Sequence, residues 1–167
     1  PDGARTGASG ATATAANLFV FDLKTKAFTS SPISLSLSNA FVGDISAVDW
    51  DLDFKTDALY FGTIGGTASS PSGALYKIDT VGSDLVNEST SAADWRAPAL
   101  LINPNGPIVS APTATVDESG NRWVYAGTGR FYVNGASAND KLSTAQQRLF
   151  GVIDRKPNAS TTVTASN

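Results

Sequence analysis

Asp49-Trp50-Asp51-Leu52-Asp53-Phe54-Lys55-Thr56-Asp57 runs without a break into Ala58-Leu59-Tyr60-Phe61-Gly62-Thr63. The first part is an acidic loop and the second an apolar, aromatic strand, so the stretch sets a β reading for its surroundings. Carboxylates stand at loop positions 1, 3, 5 and 9, with Lys55 at position 7. A looped backbone with that spacing turns several oxygens toward one centre, and anions so close repel one another. A hard divalent cation that takes about six to eight oxygen ligands relieves the repulsion, and calcium suits it best. Position 7 of a helical calcium loop contributes only its main-chain carbonyl, so a Lys is tolerated there. That loop also has Gly at position 6 and Glu at position 12, where this chain has Phe54 and Tyr60. A calcium loop feeding a strand is therefore expected, in place of one joining two helices. The competing reading is a solvated acidic turn that caps a strand.

Working outward, the neighbouring segments are extended too. Asn17-Leu18-Phe19-Val20-Phe21-Asp22, the loosely alternating stretch 28–37 and the stretch 40–48 precede the loop. After it come Ala74-Leu75-Tyr76-Lys77-Ile78-Asp79, an extended 95–102, an extended 107–117, a return strand over 122–129 and a last strand over 147–154. Glu118-Ser119-Gly120-Asn121 is a hairpin turn, because Gly and Asn supply left-handed backbone cheaply. The polar stretch 134–144 reads as a long loop. No window keeps a helical period, and the chain is read as all-β. Residues 1–16, mostly Gly, Ala, Ser and Thr, are expected to form a flexible arm, residues 17–156 the folded region, and residues 157–167 a polar tail.

Self-similarity refines the fold. Residues 17–22, 74–79 and 149–154 each carry an apolar strand closing on Asp, and Tyr60-Phe61-Gly62-Thr63 and Tyr125-Ala126-Gly127-Thr128 stand upstream of the last two. The order of elements occurs twice in full and once as a remnant. This predicts a partial β-propeller of about two to three antiparallel blades. The Gly of each aromatic-x-Gly-Thr strand is expected to admit close backbone approach. A β-sandwich is the other architecture that repeats short apolar strands. So few blades do not close a ring, so the chain is either part of a longer one or is completed by other chains. Open strand edges favour association.

Composition narrows the function. The 167 residues carry a net charge of −3 with no block of Lys or Arg, which argues against nucleic acid and anionic membrane surfaces. No apolar run approaches the roughly 20 residues of a membrane span. Cys and His are both absent, removing thiolate chemistry, disulfides and the usual general base. The carboxylate pairs Asp44/Asp49 and Asp117/Glu118 are the residues on which an acid–base hydrolase would rest. Each is explained as turn or metal residues, and no enzyme is expected. Trp50, Trp95 and Trp123 are either packing residues or sugar-stacking platforms. Pro1 in place of a starting Met marks a processed product or an excised piece.

The acidic loop with Ala58-Leu59-Tyr60-Phe61-Gly62-Thr63, followed by Gly73-Ala74-Leu75-Tyr76-Lys77-Ile78-Asp79, resembles the calcium-loop blade of the PilY/PilC type IV pilus-tip adhesin family. So does the later set Pro107-Ile108-Val109-Ser110-Ala111-Pro112, 120–131 and 147–154. The resemblance implies a modified β-propeller at the cell surface, with other pilus or cell-surface chains as partners and a role in adhesion or pilus biogenesis. Carried over by residue, it implies that Asp49, Asp51, Asp53 and Asp57 bind Ca2+ through their carboxylates and Lys55 through its carbonyl. Leu52 and Phe54 stand where the family often has Gly. A second expectation, from the incomplete ring and the flexible ends, is a self-assembling extracellular fibre subunit that polymerises through open strand edges.

Overall fold

A computed structural model describes residues 15–155 except 39, 67–69, 82–87, 90, 132, 135–137 and 141–143. The expected tail lies outside these residues, as does most of the expected arm. Ala15 and Ala16 already belong to the first strand. Among the described residues there are fourteen strands and no α-helix, in several antiparallel sheets of which none closes on itself.

The central sheet contains the strand fed by the acidic loop. Strands β5 (Phe41–Val48), β6 (Ala58–Gly66), β8 (Leu75–Asp79) and β9 (Ala99–Ile102) lie side by side in that order, and short β7 (Pro71–Ser72) pairs with the end of β6. β6 is buried along most of its length. An apolar run without alternation fits a strand covered on both faces.

One face of this sheet, through Ala58, Tyr60 and Leu75, packs on Val124, Ala126, Ala114 and Phe150. Those residues belong to a three-stranded sheet, β10 (Thr113–Val116), β11 (Arg122–Gly127) and β14 (Leu149–Asp154). The other face, through Phe61 and Ile78, packs on Leu18, Ile33 and Leu35 of a first hairpin. That hairpin pairs β1 (Ala15–Leu18) with β4 (Ile33–Ser38) and continues through Thr29 N–H to Val20 O at 3.0 Å into β2 (Phe21–Asp22) and β3 (Ala27–Phe28). Asp22 accepts Lys24 N–H at 2.7 Å and so caps the turn beyond β2. The result is a stack of three layers with the central sheet in the middle.

Residues 107–112, expected to be extended, lie between the second and third layers. Ile108 N–H donates to Thr63 O at 3.0 Å, Asp44 N–H to Val109 O at 2.8 Å and Gly129 N–H to Pro107 O at 2.7 Å. A side chain on Gly62 would place its Cβ 2.3 Å from Ile108 Cγ2, so only glycine fits there. Gly127, its counterpart, has nothing nearer than 3.9 Å. Close approach is therefore a requirement at the first of the two glycines alone.

The repeat is present, one residue out of the expected step. Thr63 N–H donates to Ala74 O at 2.9 Å, and the Thr63 hydroxyl accepts from Ala74 N–H at 2.9 Å. Thr128 treats Arg148 identically, at 2.8 Å in each direction. From these anchors Gly62 pairs with Leu75 as Gly127 pairs with Leu149, and Ala58 with Asp79 as Trp123 with Ile153. Asp79 therefore corresponds to Ile153, whereas the sequence pattern sets it against Asp154. A slip of one residue reverses the face a strand residue points to, and Asp154 accordingly points back at the central sheet.

The stretch 134–144, expected as a loop, takes part in a hairpin of β12 (Val133–Asn134) with β13 (Ala138–Asn139). Arg130 grips Asp140 beside it, Nε to Oδ2 at 2.9 Å and Nη2 to Oδ1 at 3.2 Å. Two residues per strand are too few to leave an alternation in the sequence.

Candidate metal centre

The loop 49–57 spans the β5–β6 hairpin, whose last pair is Val48 with Ala58, and Asp57 N–H donates to Val48 O at 2.8 Å. Its two ends are thus fixed by the sheet. One oxygen each of Asp49, Asp51 and Asp57 lies within 4.8 Å of the others. Main-chain donors hold them: Leu52 and Phe54 N–H donate to Asp49 at 2.7 and 2.8 Å, Asp53 N–H to Asp51 at 3.2 Å, and Trp50 N–H to Asp57. Leu52 and Phe54 sit in left-handed backbone, φ 63° and 71°, which turns the loop back on itself. These are the two positions where the resemblance implies glycine, and both side chains extend into solvent.

Of the five residues named from the sequence, Asp49, Asp51 and Asp57 are brought together. Asp53 is turned to Lys55, whose ammonium lies 2.6 Å from Asp53 Oδ2 and whose N–H donates to Asp53 Oδ1 at 2.9 Å. That pairing holds the Asp53 carboxyl below its ordinary range and raises the ammonium. Sequence reasoning missed Glu88. It joins Val81 in an isolated bridge, its side chain is 11% exposed, and its Oε2 lies 3.5 Å from Lys55 Nζ. Burial pushes the Asp57 carboxyl up, and a hydrogen bond with Glu88 and the charges of Asp51 and Glu88 push it further, against the Trp50 N–H. No spacing rule marks Glu88.

These oxygens suit a hard cation. Calcium-bound oxygens lie roughly 2.3–2.6 Å from the ion, so two of them can stand about 5 Å apart. The carboxylates are already within that spread, and Asp57 brings the burial that makes an unneutralised charge costly.

A second charged group lies deeper, between the central and third sheets. Lys77 Nζ donates to Asp154 Oδ1 at 2.7 Å and lies 3.2 Å from Asp79 Oδ1, while the Tyr60 hydroxyl donates to Asp154 Oδ2 at 2.5 Å. All four side chains are buried. Burial pushes the Asp79 carboxyl up despite Lys77, and burial together with Asp154 raises the Tyr60 phenol. Trp50 connects the two sites. Its main-chain N–H is bonded to Asp57, its indole N–H donates to the Tyr60 hydroxyl at 3.2 Å, and Arg122 lies over its ring at 5.0 Å.

Trp50 therefore serves packing, as does Trp95, which joins the core against the first hairpin and donates to Ser89 O at 2.8 Å. Asp117 of the carboxylate pairs caps its turn. It accepts from Ser119, Asn121 and Trp123, and those bonds, the Asn121 side chain foremost, hold it down at about 2. No protein-family model, no curated protein and no solved structure matches the chain.

Proposed function

We propose that this chain is a calcium-binding module of propeller-blade construction that acts at the cell surface in adhesion or pilus biogenesis, in the manner of the type IV pilus-tip adhesins. The observation that carries the proposal is the convergence of the Asp49, Asp51 and Asp57 carboxylates within 4.8 Å on a loop whose ends are fixed by the sheet. Glu88 adds a further carboxylate beside Asp57. The propeller reading is supported by the way corresponding faces repeat. Leu59 and Phe61 of β6 look back toward the first hairpin, as their counterparts Val124 and Ala126 look back toward the central sheet. The adhesive role and the surface location rest on the family resemblance. A binding loop of the extracellular class, with affinity on the order of 10⁻⁴–10⁻³ M, fills where calcium is plentiful.

Calcium acts here as a fastener. It neutralises the loop, fixes Asp57 and Trp50, and through the Trp50–Tyr60 bond steadies the seam between the two sheets. The test is thermal unfolding of chelator-treated protein with and without added calcium. Calcium at 10 to 100 times its dissociation constant stabilises by about 1.4–2.7 kcal/mol, or a rise of about 3–10 °C in Tm for a chain of this size. Asp57→Asn abolishes the rise and leaves the calcium-free protein folded. An unchanged Tm in the unsubstituted chain, with magnesium equally without effect, defeats the reading.

A further inference from the structure

The layered stack leaves one face open at each end. The residues of the central sheet that face the third sheet include Ala58, Tyr60 and Leu75, and all three are buried. By the Thr63/Thr128 correspondence, their counterparts on the third sheet are Trp123, Tyr125 and Leu149, followed by Ile153 in the place of Asp79. On this outer face Trp123 is half-buried, and Tyr125, Leu149 and Ile153 are 41%, 82% and 43% exposed. The face is nevertheless built as an interior surface. The Trp123 and Tyr125 rings lie near parallel, 17° apart, with centroids at 6.1 Å. They lean over Gly151, where an added Cβ would meet the Tyr125 ring at 2.7 Å, and Asp117 fixes the Trp123 indole N–H at 2.9 Å. At the opposite end, burial alternates along 16–22, so Phe19 and Phe21 point away from the central sheet. Phe28 joins them, with its ring centroid 6.0 Å from Phe19 and 5.3 Å from Phe21, and is 60% exposed.

We propose that a second copy of this chain adds head to tail, seating the Phe19/Phe21/Phe28 face of its first hairpin on the Trp123/Tyr125/Leu149/Ile153 face of the third sheet. Such a contact continues the interfaces already inside the chain. Twice within the stack the front of one layer is covered by the next layer, and a third use of the same step requires an apolar face turned backward. The first hairpin of another copy presents one. Both faces are aromatic, neither carries a charged residue among those named, and one contact removes both from water. The two surfaces differ, so the contact is heterologous and repeats from copy to copy. It uses sheet faces in place of the strand edges expected from the sequence, and it does not depend on calcium.

Sedimentation of the full chain over a wide concentration range tests this. The average mass of the unsubstituted protein is expected to climb past that of a dimer. Phe28→Glu and Leu149→Glu, each on an exposed side chain, are each expected to be monomeric alone, and their equimolar mixture to form a one-to-one dimer that grows no further. Matching thermal unfolding shows that each variant is folded, with Phe19→Glu and Ile153→Glu as the alternative pair on the same faces. A monomer at every concentration overturns the proposal. So does association that survives Phe28→Glu and fails in Leu149→Glu, which would mean third sheets pairing with one another. Association undiminished in both variants also overturns it, and assigns the contact to strand edges.

Discussion

Lys77 and the 49–57 loop answer the same electrostatic problem in opposite ways. At the seam between the central and third sheets, two aspartates are buried together and a lysine from the same strand as one of them lies between, 2.7 Å from Asp154 and 3.2 Å from Asp79. At the edge of the stack, Asp49, Asp51 and Asp57 are gathered with one oxygen each within 4.8 Å, and the lysine carried on the loop is turned to Asp53 and Glu88 instead. A buried cluster cannot wait for an ion, because desolvating unpaired carboxylates costs several kcal/mol each. A loop at the surface can, since water reaches Asp51 and main-chain N–H groups bond Asp49 and Asp57, and only Asp57 bears a burial cost. The interior site therefore carries its cation covalently, and the surface site, on the function proposed above, takes its cation from solution. Trp50 bonds to both and makes the two one mechanical unit.

Lys77→Met keeps the length of the side chain and removes the charge, leaving Asp79 and Asp154 buried without it. Removing one partner of a buried pair costs about 3–5 kcal/mol, and a loss of that size is expected in the midpoint of urea unfolding, with and without calcium alike. A loss below about 1 kcal/mol would place the lysine among exposed pairs of little consequence and remove the contrast between the sites.

A smaller effect sharpens the other side. Phe54 holds φ at 71° with a side chain 99% exposed, so it strains the backbone and buries nothing. The left-handed region costs an ordinary residue about 1–2 kcal/mol, and glycine returns about 0.4–1 of that through the freedom of the unfolded chain. Phe54→Gly is thus expected to stabilise the calcium-free protein by about 0.5–1 kcal/mol, read as a higher urea midpoint. A lower midpoint would show that the Phe54 side chain is used after all.

What the sequence made legible was what local residues decide. The hairpin turn at 118–121 is present, with Gly120 at φ 80°, because Gly at that point is a local requirement. The apolar run after Asp57 became the buried central strand for the same reason. Asp49, Asp51 and Asp57 come together because a hairpin fixes both ends of their loop. Partners distant in sequence were not legible. Lys77 and Asp154 stand 77 residues apart, and only the one-residue slip of β14 points Asp154 at the lysine. A period of two marks a strand and leaves its register open, so the closing Asp that the two strands share in sequence stands on opposite faces of their sheets. Glu88 was invisible for the same reason. Asp53 is engaged locally: its charge counts toward the ion in the sequence pattern, and in the structure it is turned to Lys55, two residues on.

The smallest expected effect is the shape of stability against pH in chelator. Asp117, held at about 2 by hydrogen bonds against an ordinary 3.8, stabilises fully above the unfolded value, and that contribution fades as pH falls from 3.8 toward 2. Asp79 runs the other way. Burial raises its carboxyl, so the folded state binds the proton more tightly than the unfolded chain, and acidification through the raised value toward 3.8 adds stability. The melting temperature is therefore expected to hold level or rise slightly on acidification from neutrality, then fall below about 3.8. Asp79→Asn should reduce the rise, leaving the share that the raised Asp57 carboxyl supplies, without altering the fall, and Asp117→Asn should soften the fall without altering the rise, because these groups sit in different places and titrate in different windows. An acid limb identical in the unsubstituted chain and in Asp79→Asn would mean that Lys77 offsets burial at Asp79, and the interior cluster would then be an ordinary ion pair with no residual cost.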